Sequence, residues 1–199
     1  MKPIDIGKTY DKITHLWERV GFNRDDGIAQ HRRALSFVKN RGKALDVGCG
    51  CTGRFIDLLE REGFSPEGVD ISTEMLALAR SRHPEVAFHH KDICDWVIQE
   101  SYDFITAWDS IWHIPLSEHE NVLQKLVSSL NPGGVLIFSF GGTGEKSEHT
   151  DDAMGAEVYY STLGTNGFVD LLISLGCTLR HLEYDQYPEL HAFVVVQKG

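Results

Sequence analysis

The chain is expected to fold as an α/β domain, a mostly parallel sheet with helices on both faces. Three observations point there. Short apolar runs alternate with helix-length stretches, a glycine-rich turn joins the first run to the first stretch, and no apolar run exceeds strand length. Alternation of this kind reads as βαβ units, whose right-handed crossovers leave little freedom of topology.

The elements follow in order. Residues 26–40 read as a helix ahead of the first strand. Apolar strand-like runs then occupy residues 44–47, 68–71, 86–88, 104–108 and 135–140. Between them, residues 54–62, 73–82 and 117–130 read as helices. In the last, Val122, Leu123, Leu126, Val127 and Leu130 form a stripe at helical spacing. Residues 141–160 are polar and without periodicity, and a connection that long in a compact domain is usually a functional lid or disordered. A helix ending near Gly176 and β-like runs at 178–184 and 191–197 complete the chain. At 199 residues this is one domain by length, a helical N-terminal cap over residues 1–42 and a core over 43–199.

Composition excludes several classes. No apolar run approaches the ~20 residues that span a bilayer, and residues 1–5 have no apolar run behind their charge, so a cytoplasmic protein is expected. Four cysteines without paired CxxC motifs, and ten histidines without HExxH spacing, argue against a structural metal or a disulfide framework. His89 and His90 are neighbours on a strand and point to opposite faces. The net charge is −10, yet residues 1–43 hold ten Lys/Arg against five Asp/Glu. Nucleic acid would have to be held by that segment against a repelling body, so none is expected as a partner. Oligomeric state is not legible.

The sharpest local signal is residues 44–53, ALDVGCGCTG, an apolar strand running into Gly48, Gly50 and Gly53. Glycines serve where a backbone turns tightly and a ligand approaches without a Cβ in the way. The spacing GxGxxG alone is shared with dinucleotide enzymes. Asp46 precedes the first glycine by two residues. Asp70 ends the second strand 22 positions past Gly48, where a carboxylate accepts both hydroxyls of an adenosine ribose. Asp92 follows the third strand, so three acids gather at the carboxyl edge of the sheet.

On these residues the chain resembles the class I S-adenosylmethionine-dependent methyltransferases of the small-molecule type, over nearly its whole length. Residues 46–53 are similar to the family's first motif, with Cys51 where a third glycine often sits. Tyr102–Ile105 resembles its fourth strand, and Asn131-Pro132-Gly133-Gly134 the turn into its fifth. The resemblance implies a Rossmann-like sheet of seven strands, one antiparallel. It also implies S-adenosylmethionine as cofactor, S-adenosylhomocysteine as product, and a small-molecule methyl acceptor. It assigns Asp70 to the ribose, with Ile71 and Met75 following as further cofactor-binding residues, and Asp92 to the adenine amino group, with Ile93 against the ring. Trp108 begins the segment after the fourth strand. Tyr10, Asp11 and Trp17 are similar to the segment that folds over the cofactor, where aromatic faces attract a sulfonium, although packing of an amphipathic helix explains them equally. His31 and Arg32 are candidates for the cofactor carboxylate.

Methyl transfer is an in-line displacement at an activated carbon, so positioning and electrostatics dominate and no triad is expected. His113 is the best candidate for a base and Asp109 for a carboxylate orienting the acceptor. A capping or packing histidine remains the alternative for His113. Tyr159, Tyr160 and His191 are expected near the acceptor. Two other readings stay open, an NAD-dependent oxidoreductase, which would share the glycine turn and Asp70, and a methyltransferase-like domain that binds without turnover.

Overall fold

A computed structural model describes residues 1–199. Seven strands form one sheet in the order β3-β2-β1-β4-β5-β9-β8. They are β1 (Lys43–Val47), β2 (Ser65–Asp70), β3 (Ala87–His90), β4 (Tyr102–Ala107), β5 (Leu130–Gly141), β8 (Cys177–Glu183) and β9 (His191–Lys198). The first five pair in parallel, and β9 runs antiparallel to both β5 and β8. This is the seven-stranded arrangement the resemblance implied.

The central strands β1, β4, β5 and β9 are buried on both faces. In β5, Val135 and Ile137 join one apolar cluster while Leu136, Phe138 and Phe140 join the other, the period-two consequence of a sheet covered on both sides. Helices α3 (Ile28–Leu35) and α4 (Arg54–Arg61) cover the first face, and α6 (His119–Ser128) and α7 (Gly164–Ser174) the second. The expected stripe is the buried face of α6, whose Val122, Leu123 and Leu126 are fully covered.

Three expectations are corrected. The helix at 26–40 is only α3, because Gly27 sits at φ 77° and starts it late. The helix at 117–130 begins as a 3-10 turn, Leu116–Glu118, and stops before Leu130, which opens β5. Residues 141–160 are not an irregular loop. They contain most of an antiparallel hairpin, β6 (Ser147–Asp151) with β7 (Val158–Thr162). Its first strand is exposed and entirely polar, so no alternation marked it.

The N-terminal segment holds α1 (Pro3–Ile13) and α2 (His15–Glu18). Asp11 docks α1 on the start of α5 (Thr73–Arg82). Its Oδ1 accepts the Ser72 hydroxyl at 2.6 Å and the Glu74 N–H at 3.0 Å. Ser72 in turn caps α5 by accepting the Met75 N–H at 3.1 Å, satisfying one of the helix's orphan donors. Gly7 makes this approach possible, since a Cβ there would stand 2.9 Å from the Ile71 carbonyl oxygen. The capping helix is thereby laid across the carboxyl edge of the sheet.

Candidate cofactor and acceptor cavity

At that edge lies a cavity of about 460 Å³, within the range of small-molecule sites. Its floor is the glycine turn after β1. Gly48 adopts φ 69° and Gly50 φ 54°. A Cβ on Gly48 would overlap Ser110, while Gly50 has open space before it. A ligand can therefore lie on bare backbone at Gly50.

Asp70 closes β2 beside this turn. Its Oδ2 accepts the Gly50 N–H and its Oδ1 the Ser72 N–H, both at 2.8 Å. Two backbone donors fix the carboxylate plane and leave further lone pairs for a ligand. Burial pushes its pKa up, and the backbone hydrogen bonds pull it back. Asp92 follows β3 and is held by the Cys94 N–H at 2.9 Å.

Of the residues marked for the cofactor, Tyr10, Trp17, Gly48, Gly50, Asp70, Ile71, Met75, Asp92, Ile93 and Trp108 line the cavity. Asp46 and Gly53 do not. Asp46 shares its strand face with Ala44, the face covered by α3 and α4, and is only 2% exposed. Burial pushes its carboxyl up to about 7 despite Arg54 nearby. Gly53 caps α4 at φ 69° with the His83 ring against it.

His31 and Arg32 do not reach the cavity. His31 is fully buried, bonded to the Gly27 carbonyl and the Thr106 hydroxyl at 2.7 Å each and stacked on Phe55. Burial drives its pKa down to about 3. Arg32 is exposed. The cations that do line the cavity are Arg19, Arg54 and Lys91. Arg54 contacts Asp26 at 3.4 Å and lies 4.4 Å over the Phe55 ring. Its place one residue past the glycine turn was the available signal.

The far end of the cavity is aromatic. His113 donates from Nδ1 to the Tyr159 carbonyl at 2.8 Å. Its Nε2 accepts the Tyr10 hydroxyl at 2.7 Å and the Trp112 indole N–H at 2.9 Å. The ring is buried, and its pKa falls to about 4 for that reason. It is neutral at pH 7, and its basic nitrogen is already engaged by Tyr10. Tyr160 stands 4.9 Å from the same ring. Thus α1 and the hairpin meet at His113, joining segments far apart in the chain.

Asp109 also lines the cavity, in the left-handed region at φ 52°. Its N–H donates to Ser139 Oγ at 2.7 Å, and its Oδ1 accepts that hydroxyl at 2.9 Å and His191 Nε2 at 3.0 Å. His191 Nδ1 meets Asp185 Oδ1 at 2.5 Å. Burial would lower the His191 pKa, but the two carboxylates overcome it and raise it to about 9. Asp185 was not read from the sequence; the cis Tyr187–Pro188 bond follows it by two residues.

A doubly wound sheet with a glycine turn after β1 and acids at the ends of β2 and β3 defines a nucleoside-binding fold. Residues 44–134 match the family described as Methyltransferase domain, and the chain belongs to the class I S-adenosylmethionine-dependent methyltransferases. It is 33% identical over 135 residues to a dTDP-3-amino-3,6-dideoxy-alpha-D-glucopyranose N,N-dimethyltransferase of Streptomyces fradiae, covering 63% of this chain and 52% of that one. It is 29% identical over 172 residues to a trans-aconitate 2-methyltransferase of Escherichia coli O157:H7, covering 79% and 66%. The fold matches that of SAM-bound CalS10, an amino pentose methyltransferase from Micromonospora echinaspora, with a TM-score of 0.69 at 19% identity over 88% of this chain and 91% of that one. The chain spans about half to two thirds of the length of the curated relatives named here. No helix is long and apolar enough to cross a membrane.

Proposed function

We propose that the cavity binds S-adenosylmethionine and that the chain transfers its methyl group to a small-molecule acceptor, leaving S-adenosylhomocysteine. The observation that carries this reading is the Asp70 carboxylate, oriented by two backbone N–H groups beside an open glycine turn. A nucleoside's vicinal hydroxyls are the natural donors to its remaining lone pairs. The bound cofactor supplies a methyl group on a positive sulfur.

The chain's own residues then bind, orient and exclude water. Asp92 takes the adenine amino group, with Ile71, Met75 and Ile93 along the ring. Gly50 lets a ligand approach the backbone, Gly48 makes room for Ser110 beneath the turn's first residues, and Arg54 and Arg19 supply positive charge for the methionine carboxylate. Tyr10 and Trp17, 5.3 Å apart, present aromatic faces to the sulfonium. Residues 1–42 act as the cap, fastened by the Tyr10–His113 hydrogen bond. With its Nε2 so engaged, His113 in this closed arrangement positions Tyr10. An acceptor that reacts with its own lone pair needs no further base.

The test is a pair of calorimetric titrations, with S-adenosylmethionine and with NAD, followed by transfer of labelled methyl to an acceptor panel. Micromolar S-adenosylmethionine binding with transfer is the expected result. Binding without transfer to any acceptor would favour a binding domain, and NAD binding alone would restore the oxidoreductase reading.

A further inference from the structure

The acceptor half of the cavity carries a charge that the methyl-transfer reading leaves unused. Every hydrogen bond to the Asp109 carboxylate falls on Oδ1. Its Oδ2 makes no hydrogen bond, Asp109 lines the cavity, and the side chain keeps 36% of its exposure. The residues that hold it belong to the far side of the sheet. Ser139 lies on β5 and His191 on β9, whereas the glycine turn and the ribose acid follow β1 and β2. Asp109 is therefore clamped from the side away from the nucleoside.

The clamp is rigid. Gln30 donates to Asp185 at 2.6 Å, Asp185 pairs with His191, and His191 pairs with Asp109. Aromatic rings stand around His191, which holds the carboxylate, with Trp108 5.4 Å from its ring. Trp112 lies 5.7 Å from His191 and 6.3 Å from Tyr160. Trp112, His113, Ile114, Met154 and Tyr160 bring no Lys or Arg, and His113 is neutral at pH 7. The Lys and Arg side chains that line the cavity are Arg54, paired with Asp26, Lys91, beside Asp92 after β3, and Arg19 of the N-terminal segment.

Resting on the reading of this cavity as a methyl-transfer site, we propose that its acceptor is an amine, its nitrogen held by Asp109 Oδ2 and its body packed against Trp112 and Tyr160. A carboxylate with aromatic faces is the chemistry that selects a cationic or N–H-bearing group. An acidic acceptor would meet Asp109 with no cation beyond His191, whose single charge is already shared between Asp109 and Asp185. The amine reacts as its free base, having lost a proton to solvent. Its lone pair forms the N–C bond while the C–S bond breaks and its electron pair goes to sulfur. The methylated ammonium then releases its extra proton past Asp109 to solvent, and the sulfide product is neutral.

The experiment uses the full chain saturated with S-adenosylhomocysteine and three shape-matched probes, 2-phenylethylamine, 2-phenylethanol and 3-phenylpropionate, titrated by calorimetry at pH 7.5. The amine should bind at least tenfold more tightly than either partner. The Asp109→Asn variant, whose side chain tolerates φ > 0, should lose that preference. Equal binding, preference for the acid, or no binding of any probe by protein that holds S-adenosylhomocysteine overturns the amine assignment alone. So does loss of S-adenosylhomocysteine binding in a folded Asp109→Asn variant, which would put the carboxylate on the cofactor's own ammonium. Failure of the wild-type chain to bind S-adenosylhomocysteine overturns the underlying methyl-transfer reading, and this proposal with it.

Discussion

Asp70→Ala is the most informative perturbation of the cofactor half. The Asp70 carboxylate is fixed by Gly50 and Ser72 N–H groups at 2.8 Å each, so its replacement has two separable effects. The two donors lose their acceptor but lie beside the cavity, where water replaces it, and the fold loses about 1–2 kcal/mol. In a chain of this size that lowers Tm by roughly 2–8 °C. Binding loses two hydrogen bonds from ribose hydroxyls to a charged acceptor, each about 1.5–3 kcal/mol. Even the lower bound of about 3 kcal/mol is more than a hundredfold in Kd. Asp70→Asn is milder for binding, although either orientation of the amide sets an NH2 group against a backbone N–H. It keeps one acceptor oxygen, so a loss of about ten- to thirtyfold is expected. Calorimetric titration of S-adenosylmethionine into each variant, with a melting curve on the same sample, reads both effects. An Asp70→Ala protein that melts cooperatively and binds within threefold of wild type would refute the reasoning.

Three further outcomes are expected. Tyr10→Phe removes the 2.7 Å bond between α1 and His113, worth about 1 kcal/mol. It should speed cofactor release about fivefold in stopped-flow, and an unchanged rate would separate the cap from retention. Asp11→Ala removes the acceptor that joins α1 to Ser72 and Glu74. Proteolytic cleavage within residues 1–20 should quicken while the core's melting transition moves by no more than a few degrees. His191 has its folded pKa raised from 6.5 to about 9, so its ion pairs stabilise fully below pH 6.5 and are lost as pH rises through 9. Denaturant unfolding should show stability falling across that window by a few kcal/mol at most, and His191→Gln should flatten the slope.

How much of this was legible in the sequence depends on how far apart the cooperating residues lie. The sheet was legible because each strand is an apolar run bounded by breakers, and Asp70 as a cavity acid because it sits a fixed βαβ unit beyond Gly48. Asp46 was legible as an acid but not in its direction, since a strand's alternation turns it to Ala44's face, covered by α3 and α4. The hairpin escaped because β6, Ser-Glu-His-Thr-Asp, is polar on both faces, and its partner strand is what orders it. Arg54 lies next to the signal, yet Asp26, which orients it, comes from a turn 28 residues earlier.

The acceptor half is the extreme case, and its chain separations explain why. Asp109 and His191 are 82 residues apart, and Tyr10 and His113 are 103 apart. Their meeting depends on β9 entering the sheet antiparallel beside β5, which pairs Gly141 with His191. That register carries His191 to the same edge as the parallel strands' carboxyl ends, where a seventh strand running parallel would have delivered its own carboxyl end instead. The reversed strand thus lets a residue at its N-terminal end clamp Asp109. A change in β9 that shifts the β5–β9 register by two residues, preserving the buried face, should leave S-adenosylhomocysteine binding intact in calorimetry while moving His191 away from Asp109 and abolishing the preference for the amine probe.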